Sequence, residues 1–208
     1  MKTVLQIILA LVIIGLGYGL YKSIQVPIEF RRVKQQRYDA TIEKLKQIRT
    51  AQLAYKDENG TFTGSFDTLI NFVKYDSLRV VKAIGRIPDE MLEQGMTEQE
   101  ALRRGIIERD TIRVAVQDSL FGPTFNADLL WKVPYTNDSF QLGAKTVESG
   151  NVDVEVFEAK VHNDVLLHDQ NEQLVINLNE RMSKKQNKFP GVKVGDLEEP
   201  NNNAGNWE

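Results

Sequence analysis

From Val4 to Leu20 the chain carries no ionisable side chain other than Tyr18, and Lys2 is the only basic side chain ahead of that run. As a helix, Thr3 to Tyr21 rises roughly 28 Å, which matches a bilayer hydrocarbon core of about 30 Å. Residues 1–21 are therefore read as a transmembrane anchor, with Val4, Leu5, Ile7, Ile8, Leu11, Ile14, Gly15 and Gly19 facing lipid or a neighbouring helix. Gly15 and Gly19 form a small-xxx-small pair that lets a second helix approach closely. A secretory signal peptide would have a shorter apolar stretch and a small-residue cleavage site, which Gly17-Tyr18-Gly19 imitates poorly. The expectation is a retained anchor.

Charge divides the remainder of the chain. Between Lys22 and Arg49 eight Lys and Arg face Glu29, Asp39 and Glu43, a balance of +5, whereas residues 50–208 sum to −9. A basic segment beside the anchor suits anionic lipid headgroups or a solvated helix face. The acidic bulk argues against nucleic acid as a partner. Counting basic residues on the two flanks favours a cytoplasmic body, but large domains translocate with little regard for charge, and only Lys22 abuts the apolar run. The expected topology is single-pass in the inner membrane with the large C-terminal domain extracytoplasmic.

The chemistry available is narrow. No cysteine is present, and the histidines are His162 and His168, with the polar Asn163-Asp164 pair between them. Thiolate chemistry is excluded, and imidazole-based metal binding or catalysis has little to work with. Carboxylates such as Asp138 and Glu148 stand in no catalytic motif, and phosphate-binding glycine loops are absent. The reading is non-enzymatic, with no catalytic, cofactor-binding or metal residues, no cofactor and no small-molecule substrate identified.

Beyond the anchor, Pro27 lacks a backbone donor and predicts a kink or short break. Residues 22–56 form a helical stalk whose packing stripe is Tyr38, Ile42, Leu45, Ile48, Ala51 and Tyr55, with Gln52 beside it. Asn59-Gly60 closes that helix, and Ser65 caps a short one over Phe66 to Tyr75 that buries Phe66, Leu69, Ile70 and Val73. Strand patterns follow at Leu78–Ile84 and Ile106–Asp118, flanking a helical insertion at 87–105. Thr97-Glu98-Gln99-Glu100 in that insertion reads as a capping box, and the flanking strands as a broad hairpin.

Further strands are expected at Leu129–Tyr135, Ser139–Thr146 and Val152–Val161. Glu172 to Lys185 reads as a helix burying Leu174, Leu178 and Met182, although the same residues also fit a strand. Residues 189–208 turn polar and glycine-rich; a disordered tail is the default, with docking of Trp207 as the alternative. The domain at 57–188 is thus an antiparallel α+β body, and the fold class is α+β, with the anchor continuing into a long amphipathic helix packed on an antiparallel sheet.

The order of these elements, with Ile48, Ala51, Tyr55, Gly60 and Phe62 at their spacing ahead of Ser65 to Leu69, resembles type IV pilins and type II secretion pseudopilins. The resemblance covers roughly the first 70 residues. It implies a structural or assembly component of a membrane or secretion-type complex, with the lipid bilayer and other envelope proteins or further copies as partners. The family's processing glycine and the glutamate five residues into the mature helix have no counterpart between Met1 and Leu20, which puts polymerisation in question. A membrane-tethered extracytoplasmic binding or sensor module is the alternative. Thr68, Ser77, Thr111 and Ser119 each follow an aspartate and precede an aliphatic residue. That pattern resembles O-glycan acceptors of exported bacterial proteins, and it equally makes caps and turns.

Overall fold

The computed structural model describes every residue except Met1 and Gln94; the side chains of residues 2–5, 7, 8, 81–84, 108 and 110 also lie outside the description. Of the positions expected to form an anchor, Val4, Leu5, Ile7 and Ile8 fall in that group. The chain is α+β. Its first element, α1 (Lys2–Asn59), is one uninterrupted α-helix of 58 residues with Pro27 inside it. The break expected at Pro27 does not occur. Proline removes one rung of the helical ladder and crowds the preceding turn, at a cost of about 3 kcal/mol. Intact ladders on both sides hold the helix across that gap.

The helix meets two environments. Leu11 is 64% exposed and Ile14 68%, and exposed apolar side chains continue through Ile24 and Ile28. A Cβ placed on Gly15 or Gly19 would meet nothing within 4 Å. Further along, Phe30, Thr41, Leu45, Ile48, Ala51, Gln52 and Ala54 are buried. Of the expected stripe, Tyr38, Ile42 and Tyr55 are half-buried and Leu45, Ile48 and Ala51 fully buried. The helix is long and apolar enough to cross a membrane, and its most apolar window has no buried residue.

The chain forms two compact units, one of residues 1–49 and 131–208 and the other of residues 50–130. In the second unit α1 ends at Asn59, and Gly60, with φ +83°, donates its N–H back to the Lys56 carbonyl at 2.7 Å. This is a left-handed helix stop that glycine adopts without strain. Buried Gln52 then holds the following loop by both ends of its amide: Nε2 donates to the Thr63 carbonyl at 2.6 Å and Oε1 accepts from the Thr63 N–H at 3.1 Å. Helix α2 (Phe66–Tyr75) starts at the Ser65 cap as expected and buries Leu69, Phe72 and Val73. Tyr55 meets Phe72 edge to face at 5.2 Å. Phe66 and Ile70 are only half-buried.

Strands β1 (Ser77–Ile84) and β2 (Glu108–Ala115) pair antiparallel, with Ser77 opposite Ala115 and Ile84 opposite Glu108. They are the expected hairpin around the insertion, which holds α3 (Asp89–Glu93) and α4 (Glu98–Arg103). Thr97 caps α4 by accepting from the Glu100 N–H, and Ala101 is buried. The second strand stops earlier than expected. At Val116 the chain bends into α5 (Val116–Leu120), which turns the Val116 side chain fully inward.

Leu129–Tyr135 is not a strand. Asn126 accepts from the Asp128 N–H and opens a 3₁₀ turn at Ala127–Leu129, and a single bridge joins Lys132 to Ser139. Pro134 cannot donate to a ladder, and Tyr135 sits at φ 63°. In the first unit the sheet is β3 (Gln141–Ser149), β4 (Val152–His162) and β5 (Gly191–Gly195), in that order and all antiparallel. Val156, Phe157, Ala159 and Val161 of β4 and Val192 and Val194 of β5 are buried. Helices α6 (Asn163–Leu166) and α7 (Glu172–Glu180) lie between these two strands in sequence, and a π turn at Arg181–Lys185 extends the second. In α7 the buried residue is Val175, while Leu174, Leu178 and Met182 are half-buried.

The disordered tail also does not occur. Gly191–Gly195 is the third strand, and the last residues fold back beside it: Asn206 donates its N–H to the Lys193 carbonyl and accepts from the Lys193 N–H through Oδ1. Asn202 and Asn203 supply the reversal with φ of 55° and 58°. Trp207 packs its indole over Gly205, where any Cβ would strike the ring. Asparagine and glycine are here turn-makers and edge partners for a strand, not signs of disorder.

The Gln52 clamp yields a stability prediction. Gln52→Ala leaves a buried N–H and a buried carbonyl of Thr63 without partners and is expected to cost about 2 to 4 kcal/mol. Gln35→Ala on the exposed face is expected to stay within about 0.5 kcal/mol. Urea unfolding of the full chain in detergent, followed by circular dichroism, measures both.

Candidate functional site

The basic stretch from Lys22 to Arg49 is not uniform. Arg32 and Arg37 within it, and Lys184 from the turn after α7, are fastened to carboxylates of the protein. Arg32 pairs with Glu29, one turn back. Arg37, nearly buried, grips Asp169 with two N–H groups, each at 2.7 Å, and donates to the Leu166 carbonyl at 2.8 Å. Lys184 pairs with Glu180. The Arg37 guanidinium, hydrogen-bonded to both carboxylate oxygens, holds Asp169 well below the usual carboxylate range.

At the next residue, Tyr38 opens a polar chain. Its hydroxyl donates to Oδ1 of fully buried Asn163; Asn163 Nδ2 donates to Asn179 at 2.9 Å, and Asn179 Nδ2 to Asp164 at 2.7 Å. Burial pushes the Tyr38 phenol up to about 12, although its bond to Asn163 works the other way. Arg37 and Tyr38 thus tie α1 to α6, and Asn163 carries the tie on to α7. At the other end of the unit, Arg49 meets Glu208 at 2.7 Å.

Two adjoining clefts lie between the N-terminal half of α1 and α7. The first, about 480 Å³, is lined by Tyr18, Gly19, Lys22, Val26, Pro27 and Leu174, among others. The second, about 440 Å³, is lined by Pro27, Phe30, Arg31, Lys34, Leu174 and Arg181, among others. Pro27 and Leu174 belong to both. The first is mainly apolar with Lys22 in its lining, and the second presents the three cations Arg31, Lys34 and Arg181. Among the described residues Lys22, Arg31 and Arg181 have no carboxylate partner, and Lys34 lies over the Tyr38 ring at 5.1 Å.

The remaining sequence candidates are scattered. His162 caps α6 by accepting from the Asp164 N–H and meets Phe189 edge to face, whereas His168 lines a separate cleft with Asp164 and Glu172. Among the described residues no group of three His, Asp or Glu side chains is placed to hold a metal ion. Thr68 and Ser119 are exposed on short helices, Thr111 is exposed on β2, and Ser77 is half-buried at the start of β1. Sequence reasoning marked the basic stretch but missed Arg181, which lies 150 residues beyond Arg31. Only the fold brings it there. No family model, curated protein or solved structure matches the chain.

Two pH responses follow from these ties. A depressed carboxyl stabilises the fold above the unfolded value near pH 4 and loses that contribution as pH falls toward its folded value. The melting-temperature gap between the protein and Asp169→Asn is therefore expected to be full at pH 6 and to shrink progressively below about pH 4. A raised phenol does the opposite: its contribution is present below about pH 10 and disappears as pH climbs toward 12. Tyr38→Phe is expected to remove that alkaline loss, read from thermal melts between pH 9 and 12.

Proposed function

We propose that this chain is a non-enzymatic single-pass protein of the cell envelope. Its anchor sits in the inner membrane, its body is extracytoplasmic, and it works as a pilin-like structural or assembly component of a membrane or secretion-type complex. The observation that carries this reading is the single helix whose exposed apolar stretch runs without a joint into a section buried in the folded body. An anchor serving only as a flexible tether needs no such continuity. A stiff helix that fixes the body at a set height and rotation suits a part that must register against neighbours. Exposed Leu11, Ile14, Gly15 and Gly19 leave one helix surface open to lipid or to another helix. Thr68, Thr111 and Ser119, exposed on the body, remain available to glycan transfer on the exported side.

The full-length protein extracted in mild detergent is expected to run as a defined homo-oligomer or with a fixed partner set by light scattering and chemical cross-linking. A monomer that retains a small ligand would favour the tethered binding module instead. A C-terminal reporter active only outside the cytoplasm is expected to score positive, and activity of a cytoplasm-only reporter would overturn the export assignment.

A further inference from the structure

The cleft beside α7 has the chemistry of a lipid site. Its apolar part is lined by residues of the anchor end, and its cationic part lies farther along the same helix. The N-terminal run of exposed apolar side chains on α1 extends to Ile28. Arg31 and Lys34 lie about 4.5 and 9 Å beyond Ile28 along the helix axis. The headgroup zone outside the hydrocarbon is about 5 to 8 Å thick on each side. Long basic side chains reach across the remaining difference with their apolar stems along the groove.

Charge sharpens the match. Arg32, Arg37 and Lys184 are neutralised by Glu29, Asp169 and Glu180, all outside the lining of the cleft. Arg31 and Arg181, which line it, have no carboxylate partner among the described residues. A guanidinium fork accepts phosphate oxygens pairwise, and Lys34 adds a point charge. Neutral Asn177, also in the lining, offers an amide to the same group.

We propose that this cleft binds one anionic glycerophospholipid, its phosphate held by Arg31, Lys34 and Arg181 and an acyl chain lying along Gly19, Val26 and Leu174. The inference rests on the membrane-anchored reading above and adds to it a lipid that cements α1 to α7 at the bilayer surface. Arg181 is the element that makes the site selective, because it comes from the folded body and closes the side of the cleft that the anchor helix leaves open.

The test reconstitutes the full-length protein in nanodiscs containing equal phosphatidylglycerol and phosphatidylcholine, followed by native mass spectrometry after mild delipidation. The expected result is one retained phosphatidylglycerol per chain. Arg31→Gln with Arg181→Gln is expected to reduce its retention at least tenfold, and Lys184→Gln, which removes an equal charge outside the cleft, to leave it unchanged. Circular dichroism melts confirm that the variants are folded. Equal retention of the two lipids, or loss in Lys184→Gln as large as in the double variant, overturns the site while leaving the membrane anchor intact. Displacement of the lipid by millimolar glycerol 3-phosphate also overturns it, by assigning the cations to a free anion. Failure of the chain to enter the nanodisc overturns both the site and the anchored reading.

Discussion

The first unit depends on one backbone hydrogen-bond ladder, that of α1, which runs through it from Lys2 to Arg49. In an apolar medium a backbone N–H or carbonyl has no water to bond, so a helix, which satisfies its own groups, suits the lipid-entering segment proposed for this chain. Beyond Phe30 the same ladder serves a different end. With the backbone already satisfied, the side chains of Leu45 and Ile48 can be buried without stranding polar groups. Pro27 falls between these regimes, and the ladder absorbs its missing donor.

How the body holds the helix is a matter of a few polar groups. Arg37 contacts a carboxylate and a carbonyl on the segment around α6, and Tyr38 reaches the amide that orders Asn179 and Asp164. Apolar burial supplies free energy but little direction, whereas a two-pronged guanidinium contact fixes an angle and a register. These bonds select the rotation of α1 that turns Leu45 and Ile48 inward.

The parts of this fold that were legible in the sequence are those set by local chemistry. The apolar run, the Asn59-Gly60 stop, the Ser65 and Thr97 caps and the β1/β2 hairpin follow from periods and caps a few residues long. The misreadings have a common cause, which is that partners distant in sequence decided the outcome. Asn206 and Gly205 read as disorder until β5 provides the edge they complete. Leu129 to Tyr135 has the composition of a strand, but the Asn126 turn and Pro134 claim its backbone first. The candidate cleft was half visible: Arg31 and Lys34 stand out as basic residues, but the arrival of Arg181 beside them is a property of the folded chain.

In the membrane proposed for this chain, the continuity of α1 past Pro27 also makes the first unit answerable to the thickness of the bilayer. From Val4 to Ile28 the predominantly apolar stretch rises about 36 Å, more than the roughly 30 Å of an average hydrocarbon core. In the membrane proposed for it, that excess is taken up by leaning, with Lys22 stretching toward the surface. A jointed stalk would hide the lean from whatever it carries. Here Arg37 and Tyr38 fasten the body to the same rigid rod, so a thinner or thicker patch of membrane changes the inclination at which the first unit stands.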